Sequence, residues 1–321
     1  MENPLSRFKL SRFSFHLQAL ETLSLPSYKG STLRGAFGHT FKKVVCVNRQ
    51  RICAECILKG KCIYSYVFET PPPSDTSMMR KYPYAPHPFV ILPPLDKKTL
   101  YEKGDSLIFQ LTLIGKAIDF LPYFVYTFDE LGKNGLGKGK GKCELVEVRL
   151  DRFEGLGPTL IYSGKDKILQ NQVHVITGKD FESQDVGGSI LELLFLTPTR
   201  LKYDGHLTSK PEFHILLRNL LRRVSLLSYF HCNFELNVDF KGLIEAARKV
   251  RVSGAEISWL DWERYSQRQE TRMKMGGFLG SISFEGELER FLLFIRLGEL
   301  IHVGKGTSFG LGKYTIVGGK D

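Results

Sequence analysis

The feature that most constrains the fold of this chain is an internal repeat in its order of structural patterns. Residues 104–150 and residues 276–317 each begin with an apolar strand-like run, pass a glycine turn and continue into an apolar helical segment. Each segment then passes through a loop rich in glycine and lysine into a final alternating strand. Alternation of period two after a helical period indicates a β-α-loop-β unit in each copy.

Another strand and another helix precede each copy. Near the N-terminus "RFKLSRFSFHL" alternates, and a helix is predicted from about Thr32 to Val45. In the second half "ILELLFLTPTRL" predicts a strand, and Pro211 to Phe230 has the apolar stripe of a helix. Each half therefore follows the order βαββαβ. The sequence predicts an α+β fold of two tandem ferredoxin-like (RRM-like) domains, and the alternative is one α+β domain with chance similarity.

The connection between the two halves is the polar, glycine-rich stretch "SQDVGGS". Such a composition is typical of a loop between domains, so the predicted domains are residues 1–185 and 186–321. The first domain includes a small cysteine-containing insertion at about residues 46–62. The second includes the glycine-rich loop near the end of the chain.

The chain has a surplus of positive charge. Its 45 lysines and arginines stand against 34 aspartates and glutamates, so the formal net charge is +11. This surplus favours a polyanionic partner, nucleic acid first and anionic membrane second, although a basic enzyme without such a partner can have the same composition. No secretory signal and no run of about 20 apolar residues is seen. We therefore expect a cytoplasmic protein with no membrane partner.

Four of the six cysteines lie close together in the sequence, namely Cys46, Cys53, Cys56 and Cys62. A Cys-x2-Cys pair with two further cysteines nearby can hold a tetrahedral zinc ion as four thiolates. In a reducing compartment a metal is favoured over disulfides. Four thiolates leave no open coordination position, so we expect a structural zinc ion that is not the catalyst. An iron–sulfur cluster is the alternative, because it also uses four cysteines.

The predicted first helix has an unusual polar face. Its apolar face is formed by Leu33, Phe37, Phe41 and Val44, and Gly35, Gly38, His39 and Lys42 fall roughly opposite. Each glycine weakens a helix by about 0.5–1 kcal/mol relative to alanine, so the two glycines need a physical reason. Either they let a phosphate backbone approach His39 and Lys42, or they pack closely against a neighbouring element. A lone solvated histidine is the alternative for His39.

Two basic glycine-rich loops predict contacts with phosphates. The first, "GKNGLGKGKGK", contains Lys138, Lys140 and Lys142, and the second, "HVGKGTSFGLGK", contains His302, Lys305, Ser308 and Lys313. The second loop follows a helix and precedes a strand, which is the reverse of the P-loop and Rossmann contexts, so a nucleotide cofactor is disfavoured. We expect these loops to present lysines, hydroxyls and backbone N–H groups to the phosphates of a polymer.

Two sets of arginines are further candidates for RNA binding. Arg264, Arg268 and Arg272 recur every four residues and would form one ridge if their segment is helical. Arg218 and Arg222 lie on the flank of a predicted helix, away from its apolar stripe. Arginine pairs bidentately with phosphate. The alternative for each set is a solvated, charged face.

These motifs resemble the CRISPR-associated RAMP superfamily, and most closely its precursor-crRNA-processing endoribonuclease. In the C-terminal third the resemblance rests on the glycine loop after the last helix and on "RYSQRQ…MGGFLGSISFEG". In the first half, "LRGAFGHTF", the four cysteines leading to "YSYVFET", and "PHPFVILPP" are similar to the branch with an N-terminal cysteine cluster. The resemblance extends over nearly the whole chain.

The resemblance implies binding of CRISPR repeat RNA and metal-independent cleavage of precursor crRNA. A ribose 2′-hydroxyl would attack the adjacent phosphate, leaving 2′,3′-cyclic phosphate and 5′-hydroxyl ends. On the family's pattern the catalytic candidates are His39, Tyr28 just before the helix, and Lys42 or Lys43 one turn on. His302 is the main competing histidine. Other CRISPR effector subunits are the further partners that the resemblance implies.

Two other functions are compatible with the same residues. The chain could be a non-catalytic RAMP subunit that binds guide RNA in a CRISPR effector complex without cutting it. It could also be an unrelated zinc-stabilised protein whose affinity for nucleic acid is incidental. The basic loops and arginines would serve the first of these alternatives as well as they serve an endoribonuclease.

Overall fold

The computed structural model describes residues 3–48, 52–53, 55–72, 76, 78, 84–152, 157–170, 173–181, 189–266 and 271–317. The chain divides into two units. The N-terminal unit consists of Phe8–Ile176 and Leu226–Phe234, and the C-terminal unit consists of Met1–Arg7, Thr177–Ser225 and Glu235–Asp321. The connection predicted within "SQDVGGS" falls almost entirely outside the described residues.

The N-terminal unit has the order βαββαβ. Its elements are β1 (Lys9–Ala19), α1 (Gly30–Val45), β2 (Phe89–Leu92), β3 (Ser106–Ile114), α2 (Leu121–Asn134) and β4 (Cys143–Asp151). These strands pair antiparallel in the spatial order β2-β3-β1-β4. This is the ferredoxin-like arrangement that the repeat predicts. Two further strands, Thr159–Ser163 and Ile168–Leu169, extend the sheet beyond β4.

Phenylalanine rings fill the core between this sheet and its two helices. Alternation in β1 buries Phe13 and Phe15, and Phe15 lies directly opposite Phe109 of β3. Phe37 of α1 stacks on Phe128 of α2, with ring centroids 4.9 Å apart. Each such ring removes a large apolar area from water, so the aromatic residues of the first half stabilise the packing of α1 on the sheet.

The C-terminal unit repeats the plan with two insertions. Its elements are β5 (Ile190–Thr199), α3 (Phe213–His231), α4 (Phe240–Ala247), β6 (Arg251–Leu260), β7 (Glu263–Ser266), β8 (Thr271–Lys274), β9 (Gly277–Glu285), α5 (Glu289–Ile301) and β10 (Tyr314–Val317). The antiparallel sheet has the order β6-β9-β5-β10, and β7 pairs with β8. The tandem ferredoxin-like prediction is therefore confirmed.

Shorter elements complete the description. They are the strands Leu23–Ser24, Leu100–Tyr101, Ile176–Thr177, Lys202–Tyr203 and His206–Leu207, the π-helix Ser65–Glu69, and the 3-10 helices Gly115–Phe120, Gly178–Phe181 and Thr307–Phe309. Helix α3 belongs to the C-terminal unit up to Ser225 and to the N-terminal unit from Leu226. Among the described residues, no helix combines the length and the apolar character that a bilayer span requires.

The ridge that Arg264, Arg268 and Arg272 would form if their segment were helical is not formed by the described residues, because these belong to two paired strands. Its segment is a hairpin, in which Arg264 stands opposite Met273, and Tyr265 stands opposite Arg272. The physical reason is the register of the neighbouring strands, because Leu260 faces Gly277 and Glu263 faces Lys274, which continues one antiparallel pairing. Arg268 lies outside the described residues.

Gly312 allows the glycine-rich loop of the C-terminal unit to close. Its φ is +74°, and a Cβ added there would overlap the carbonyl of Val303. The Val303 N–H in turn donates to the Gly312 carbonyl at 3.0 Å. Gly139 in the N-terminal unit has a similar φ of +84°, but no atom lies within 4 Å of an added Cβ.

We expect Gly312→Ala to destabilise the protein much more than Gly139→Ala. Both variants suffer the left-handed strain of about 1–2 kcal/mol, and only Gly312→Ala adds an overlap with backbone. Urea unfolding of the two variants and the wild-type chain measures the free energies of unfolding. Equal losses in the two variants would contradict this account of the loop.

Candidate nucleic-acid interface

The glycine-rich loop of the C-terminal unit is tied to strand β5 and to the residues just after it. Thr197 Oγ1 donates to the Gly310 carbonyl at 2.8 Å and accepts from the Lys313 N–H at 2.8 Å. The Lys305 N–H donates to the Arg200 carbonyl at 3.0 Å. Several backbone N–H groups of this loop therefore bind the protein itself, which fixes the path of the loop.

Two predicted contact residues of this loop are buried. His302 is 2% exposed and Ser308 is 5% exposed, so the expectation that they touch RNA directly is corrected. His302 Nδ1 lies 3.1 Å from the Leu311 carbonyl, which can only accept, so Nδ1 bears the proton. Burial lowers the pKa of His302 well below its usual value, and repulsion from Lys313 lowers it further. The neutral ring supports the loop from inside.

Two buried or half-buried cations also support this loop. Lys313 Nζ donates to the Glu299 carbonyl at 2.8 Å, where a cation satisfies an orphan carbonyl in the last turn of α5. Arg223 Nε donates to the Ile301 carbonyl at 2.9 Å. Burial lowers the pKa of Arg223 to about 9, which leaves its guanidinium charged at neutral pH. Lys313, like His302, thus has a structural bond within the unit.

Lys305 is the exposed cation of the loop, and two basic residues that the sequence analysis missed lie beside it. Burial lowers the pKa of Lys305, and repulsion from Lys202 and Arg200 adds to the lowering. We call Arg200, Lys202 and Lys305 the loop-edge cluster. In the part of the chain that the structure describes, none of the three forms an ion pair with a carboxylate. Like charges gathered without a carboxylate form an attractive site for an anion.

Helix α3 extends the basic surface beside the loop-edge cluster. Asn219 Nδ2 donates to the Lys202 carbonyl at 3.2 Å, which brings the helix against that strand. Arg218 and Arg222 are exposed, as predicted, and the Arg218 guanidinium lies 5.9 Å from the Tyr203 ring centroid. The loop and the helix flank therefore belong to one basic surface of the C-terminal unit.

Helix α1 of the N-terminal unit presents His39 to solvent. His39 is exposed, and the Leu33, Phe37 and Phe41 side chains are buried on the opposite face. The two helix glycines have different explanations. An added Cβ at Gly38 would lie 3.0 Å from the Phe68 ring, so Gly38 allows close packing, whereas nothing lies within 4 Å of an added Cβ at Gly35.

The three residues predicted to share the cleavage chemistry are only partly brought together. Lys42 and Lys43 follow His39 by three and four residues, which places them beside it on the helix surface. Lys42 Nζ lies 5.3 Å from the Tyr64 ring centroid. Tyr28 precedes the helix and is separated from His39 by more than two turns. Burial raises the pKa of Tyr28 well above its usual value, so its hydroxyl keeps the proton.

An ion pair between buried Lys29 and exposed Asp96 fixes the start of α1. Lys29 is 0% exposed, and its Nζ donates to the Asp96 Oδ1 at 3.1 Å and to the Asp96 carbonyl at 2.9 Å. The hydrogen bond and charge of Lys29 lower the pKa of Asp96, although burial opposes them. A charged lysine can be buried only with such partners, so the position of the first turn of α1 is closely determined.

The basic loop of the N-terminal unit keeps its predicted lysines at the surface. Lys138, Lys140 and Lys142 are all exposed. The Lys138 N–H donates to the Ser24 carbonyl at 2.9 Å, and Lys142 Nζ donates to the Lys133 carbonyl at 2.6 Å. All three exposed side chains are candidates for phosphate contacts, and that of Lys142 also donates to a carbonyl.

Two family models match this chain. A model described as an N-terminal domain, AF_1859_N, matches residues 8–174, which is more than half of the chain and places it in that family. A model described as CRISPR-associated endoribonuclease Cas6 matches residues 193–314, which include the glycine-rich loop and the loop-edge cluster. The C-terminal part of this chain is a Cas6-type domain. The resemblance to the RAMP-type processing proteins is thereby confirmed.

Similar proteins match over nearly the whole chain. An uncharacterized protein of Archaeoglobus fulgidus is 25% identical over 301 residues, which cover 91% of this chain and 92% of the relative. A solved Cas6 product complex has a TM-score of 0.59 and 16% identity, covering 96% of this chain and 99% of that one. Thermus thermophilus Cas6 has a TM-score of 0.56 and 15% identity, covering 97% and 99%. At these identities the solved structures show a shared fold.

A partial Cas6-RT-Cas1--Cas2 complex contains a chain that is also similar in fold. Its TM-score is 0.59 at 12% identity, and the match covers 98% of this chain and 47% of that one. The Cas6-like fold of the present chain therefore also occurs within a longer polypeptide. No activity of the present chain follows from that likeness.

Arg34, on α1, and His87, beside it, are further polar residues that the fold brings together. Arg34 Nη2 donates to His87 Nε2 at 3.2 Å, which requires that nitrogen to be unprotonated. The His87 ring also lies 5.7 Å from Phe89 in a stacked arrangement. In the sequence, "PHPFVILPP" carries only the family resemblance, so the pairing of His87 with Arg34 could not be predicted.

The four predicted zinc ligands lie around one small cavity of the N-terminal unit. Cys46, Cys53, Cys56 and Cys62 all line it, and each is half-buried with a free thiol. Across the described residues, no three histidine, cysteine, aspartate or glutamate side chains already stand close enough together to hold a metal ion. The sulfur donors are of the type that zinc prefers, and their gathering at one cavity fits that metal.

We expect His302 to make the stability of the protein depend on pH. The folded state keeps the ring neutral, whereas the unfolded chain binds a proton on His302 below about pH 6.5. The contribution of His302 to the free energy of unfolding is therefore present above that pH and is lost as the pH falls below it. His302→Asn should remove a slope of about 1.4 kcal/mol per pH unit below pH 6. Asparagine tolerates the residue's φ of +62° and can donate to the Leu311 carbonyl. An unchanged slope in urea unfolding from pH 7 to 5 would contradict the buried neutral ring.

Proposed function

We propose that this chain is an endoribonuclease that binds CRISPR repeat RNA and cleaves precursor crRNA without a catalytic metal. The match of residues 193–314 to the Cas6 endoribonuclease model supports an RNA-cleaving enzyme. The observation that favours chemistry on α1 is the exposed His39, with Lys42 and Lys43 one turn on and open space at Gly35. The Cβ position of Gly35 is open, so a ribose-phosphate chain can approach the helix backbone there.

The proposed reaction is an internal transfer at phosphorus. The ribose 2′-hydroxyl loses its proton to a base and its oxygen attacks the adjacent phosphorus. The bond from phosphorus to the 5′-oxygen breaks, and that oxygen takes a proton from an acid. The products are a 2′,3′-cyclic phosphate and a 5′-hydroxyl, so no water and no metal need enter the balance.

The residues of α1 are suited to three parts of this reaction. His39 is exposed, and imidazole can both accept and donate a proton, so His39 can exchange a proton with the 2′-hydroxyl or the 5′-oxygen. Lys42 and Lys43 supply positive charge for the negative charge that develops on the phosphate. Tyr28 keeps its proton, so the role open to it is that of a donor.

RNA binding is assigned to the exposed cations of each unit. In the C-terminal unit they are the loop-edge cluster with Arg218 and Arg222, and in the N-terminal unit they are Lys138, Lys140 and Lys142. Lysine and arginine contacts to phosphates position an RNA, and they weaken as salt rises. Other CRISPR proteins are proposed as further partners, since one similar chain lies in a Cas6-RT-Cas1--Cas2 complex.

The alternative is a RAMP subunit that binds guide RNA without cutting it. One observation favours this function, namely the separation of Tyr28 from His39 by more than two helical turns. Within one turn of helix His39 has lysines and no second group that titrates near neutral pH. The two functions differ in whether RNA bonds break, and both require the basic surfaces.

We expect His39→Ala to lower the rate of repeat-RNA cleavage by about 10²–10⁴-fold, because a positioned general acid or base contributes that much. RNA affinity should change little. His206→Ala is the matched control, since His206 is an exposed histidine of the C-terminal unit and lies outside the proposed site. Single-turnover cleavage and filter binding measure the two effects. Wild-type cleavage by His39→Ala would remove His39 from the mechanism.

Replacing the ribose at the cut with 2′-deoxyribose should abolish cleavage while binding persists. The 2′-oxygen is the attacking group, so its removal leaves no nucleophile. Wild-type protein should still cleave unmodified RNA when EDTA is added together with the RNA, with the metal content of the same sample recorded. Cleavage of the deoxy substrate would refute the internal mechanism, and intact RNA under all conditions would favour the non-catalytic subunit.

Lys305→Ala should weaken RNA binding and reduce the dependence of affinity on salt. Loss of one phosphate contact to a single strand lowers the slope of log K against log salt by about 0.7. Lys241→Ala is the control, because Lys241 is an exposed cation of the same unit that pairs with Glu245 on α4. Equal effects of the two substitutions would contradict the assignment of the loop-edge cluster.

A further inference from the structure

The segment between α1 and the π-helix of the N-terminal unit has little to hold it in place. None of its described residues between Cys46 and Cys62 is buried, and Ile57 is 96% exposed. Loops longer than about 12–15 residues without secondary structure are uncommon in compact domains. Segments that lack an apolar core are usually held by disulfides or by a metal ion.

Two of the four thiols stand on the ends of helical elements that pack in the core. The Cys46 N–H donates to the Lys42 carbonyl at 3.0 Å, so Cys46 closes α1. The Cys62 carbonyl accepts from the Tyr66 N–H at 2.9 Å, so Cys62 begins the next helical turns. The Phe41 and Phe68 rings of these two elements lie 5.7 Å apart. Cys46 and Cys62 are therefore held on a rigid base.

The other two thiols lie on a tight turn. The Cys56 N–H is directed at the Cys53 carbonyl at 3.4 Å, and the Lys59 N–H donates to the Cys56 carbonyl at 3.0 Å. A Cys-x2-Cys turn of this kind is the usual way in which two thiolates bind one zinc ion. Asn48 Nδ2 lies 3.8 Å from Cys56 Sγ and can donate to it, as groups around a metal do for its ligands.

We propose that Cys46, Cys53, Cys56 and Cys62 bind one structural zinc ion as four thiolates. Their gathering around one cavity is the observation that supports this site. The thiols release their protons to solvent on binding, and Lys59, which also lines the cavity, offsets part of the negative charge of the complex. The ion draws the Cys53–Cys56 turn onto the helix-borne Cys46 and Cys62.

This site fixes the end of the helix that presents His39 and Lys42. Cys46 follows Lys42 by one turn, and Tyr64, whose ring lies under Lys42 Nζ, follows Cys62 by two residues. The contact between Lys42 and Tyr64 thus lies next to two of the proposed zinc ligands, Cys46 and Cys62. The zinc site is structural, so the test of this site does not depend on whether the chain cleaves RNA.

Metal content of the full-length chain tests the proposal. We expect about one zinc per chain by inductively coupled plasma mass spectrometry after purification under reducing conditions. Cys53→Ser and Cys62→Ser should lose most of it, whereas Cys232→Ser should retain it. Cys232 is a matched control, a half-buried thiol of the same unit that contacts the Lys9 carbonyl instead of the cavity. Full zinc content in Cys53→Ser would overturn the site.

Two measurements on the wild-type chain keep the test valid if the serine variants fail to fold. Zinc should protect four of the six thiols from a thiol-specific reagent, and a strong chelator should expose them and lower the melting temperature. Cobalt(II) should replace zinc and give the absorption of a tetrahedral thiolate complex. Iron with inorganic sulfide, a disulfide among the four cysteines, or six reactive thiols in the zinc-treated protein would each overturn the proposal.

Discussion

The pairing of the last strand with the first strand in each unit is the constraint on which the candidate interface depends. In the C-terminal unit β10 pairs with β5, so the glycine-rich loop that leads into β10 must lie along the end of β5. Thr197 binds the loop on both sides, and Gly312 permits the backbone to close. The same pairing in the N-terminal unit joins β4 to β1 after the loop that contains Lys138 and Lys140.

Because the loop is held against β5, some of its polar side chains lie inside the unit and others are exposed. His302 is neutral inside the unit, and Lys313 and Arg223 donate to carbonyls at the end of α5. Lys305 is the loop cation that stands outside, and the strand end brings Arg200 and Lys202 to it. Burial removes part of the Arg200 and Lys305 side chains from water, so a phosphate would relieve the mutual repulsion among these three.

In the N-terminal unit one helix links the proposed cleavage chemistry to the fold. Buried Lys29 holds the beginning of α1, the aromatic core holds its apolar face, and the proposed zinc site holds its end. Gly38 allows this helix to pack closely against Phe68, whereas no atom lies near the Cβ position of Gly35. His39 is thus placed on a firmly supported element, which general acid–base catalysis requires.

The sequence by itself determined the tandem βαββαβ plan, both basic loops, the exposed face of α1 and the four clustered cysteines, because periodicity and local composition are properties of neighbouring residues. It could not locate β2 and β6, which are set by pairing with distant strands. Only the tertiary structure decided that Arg264 and Arg272 lie in a hairpin, that His302 and Ser308 are buried, and that Arg200 and Lys202 join Lys305. Burial and long-range pairing depend on what the rest of the chain places alongside a residue, and no local pattern contains that information.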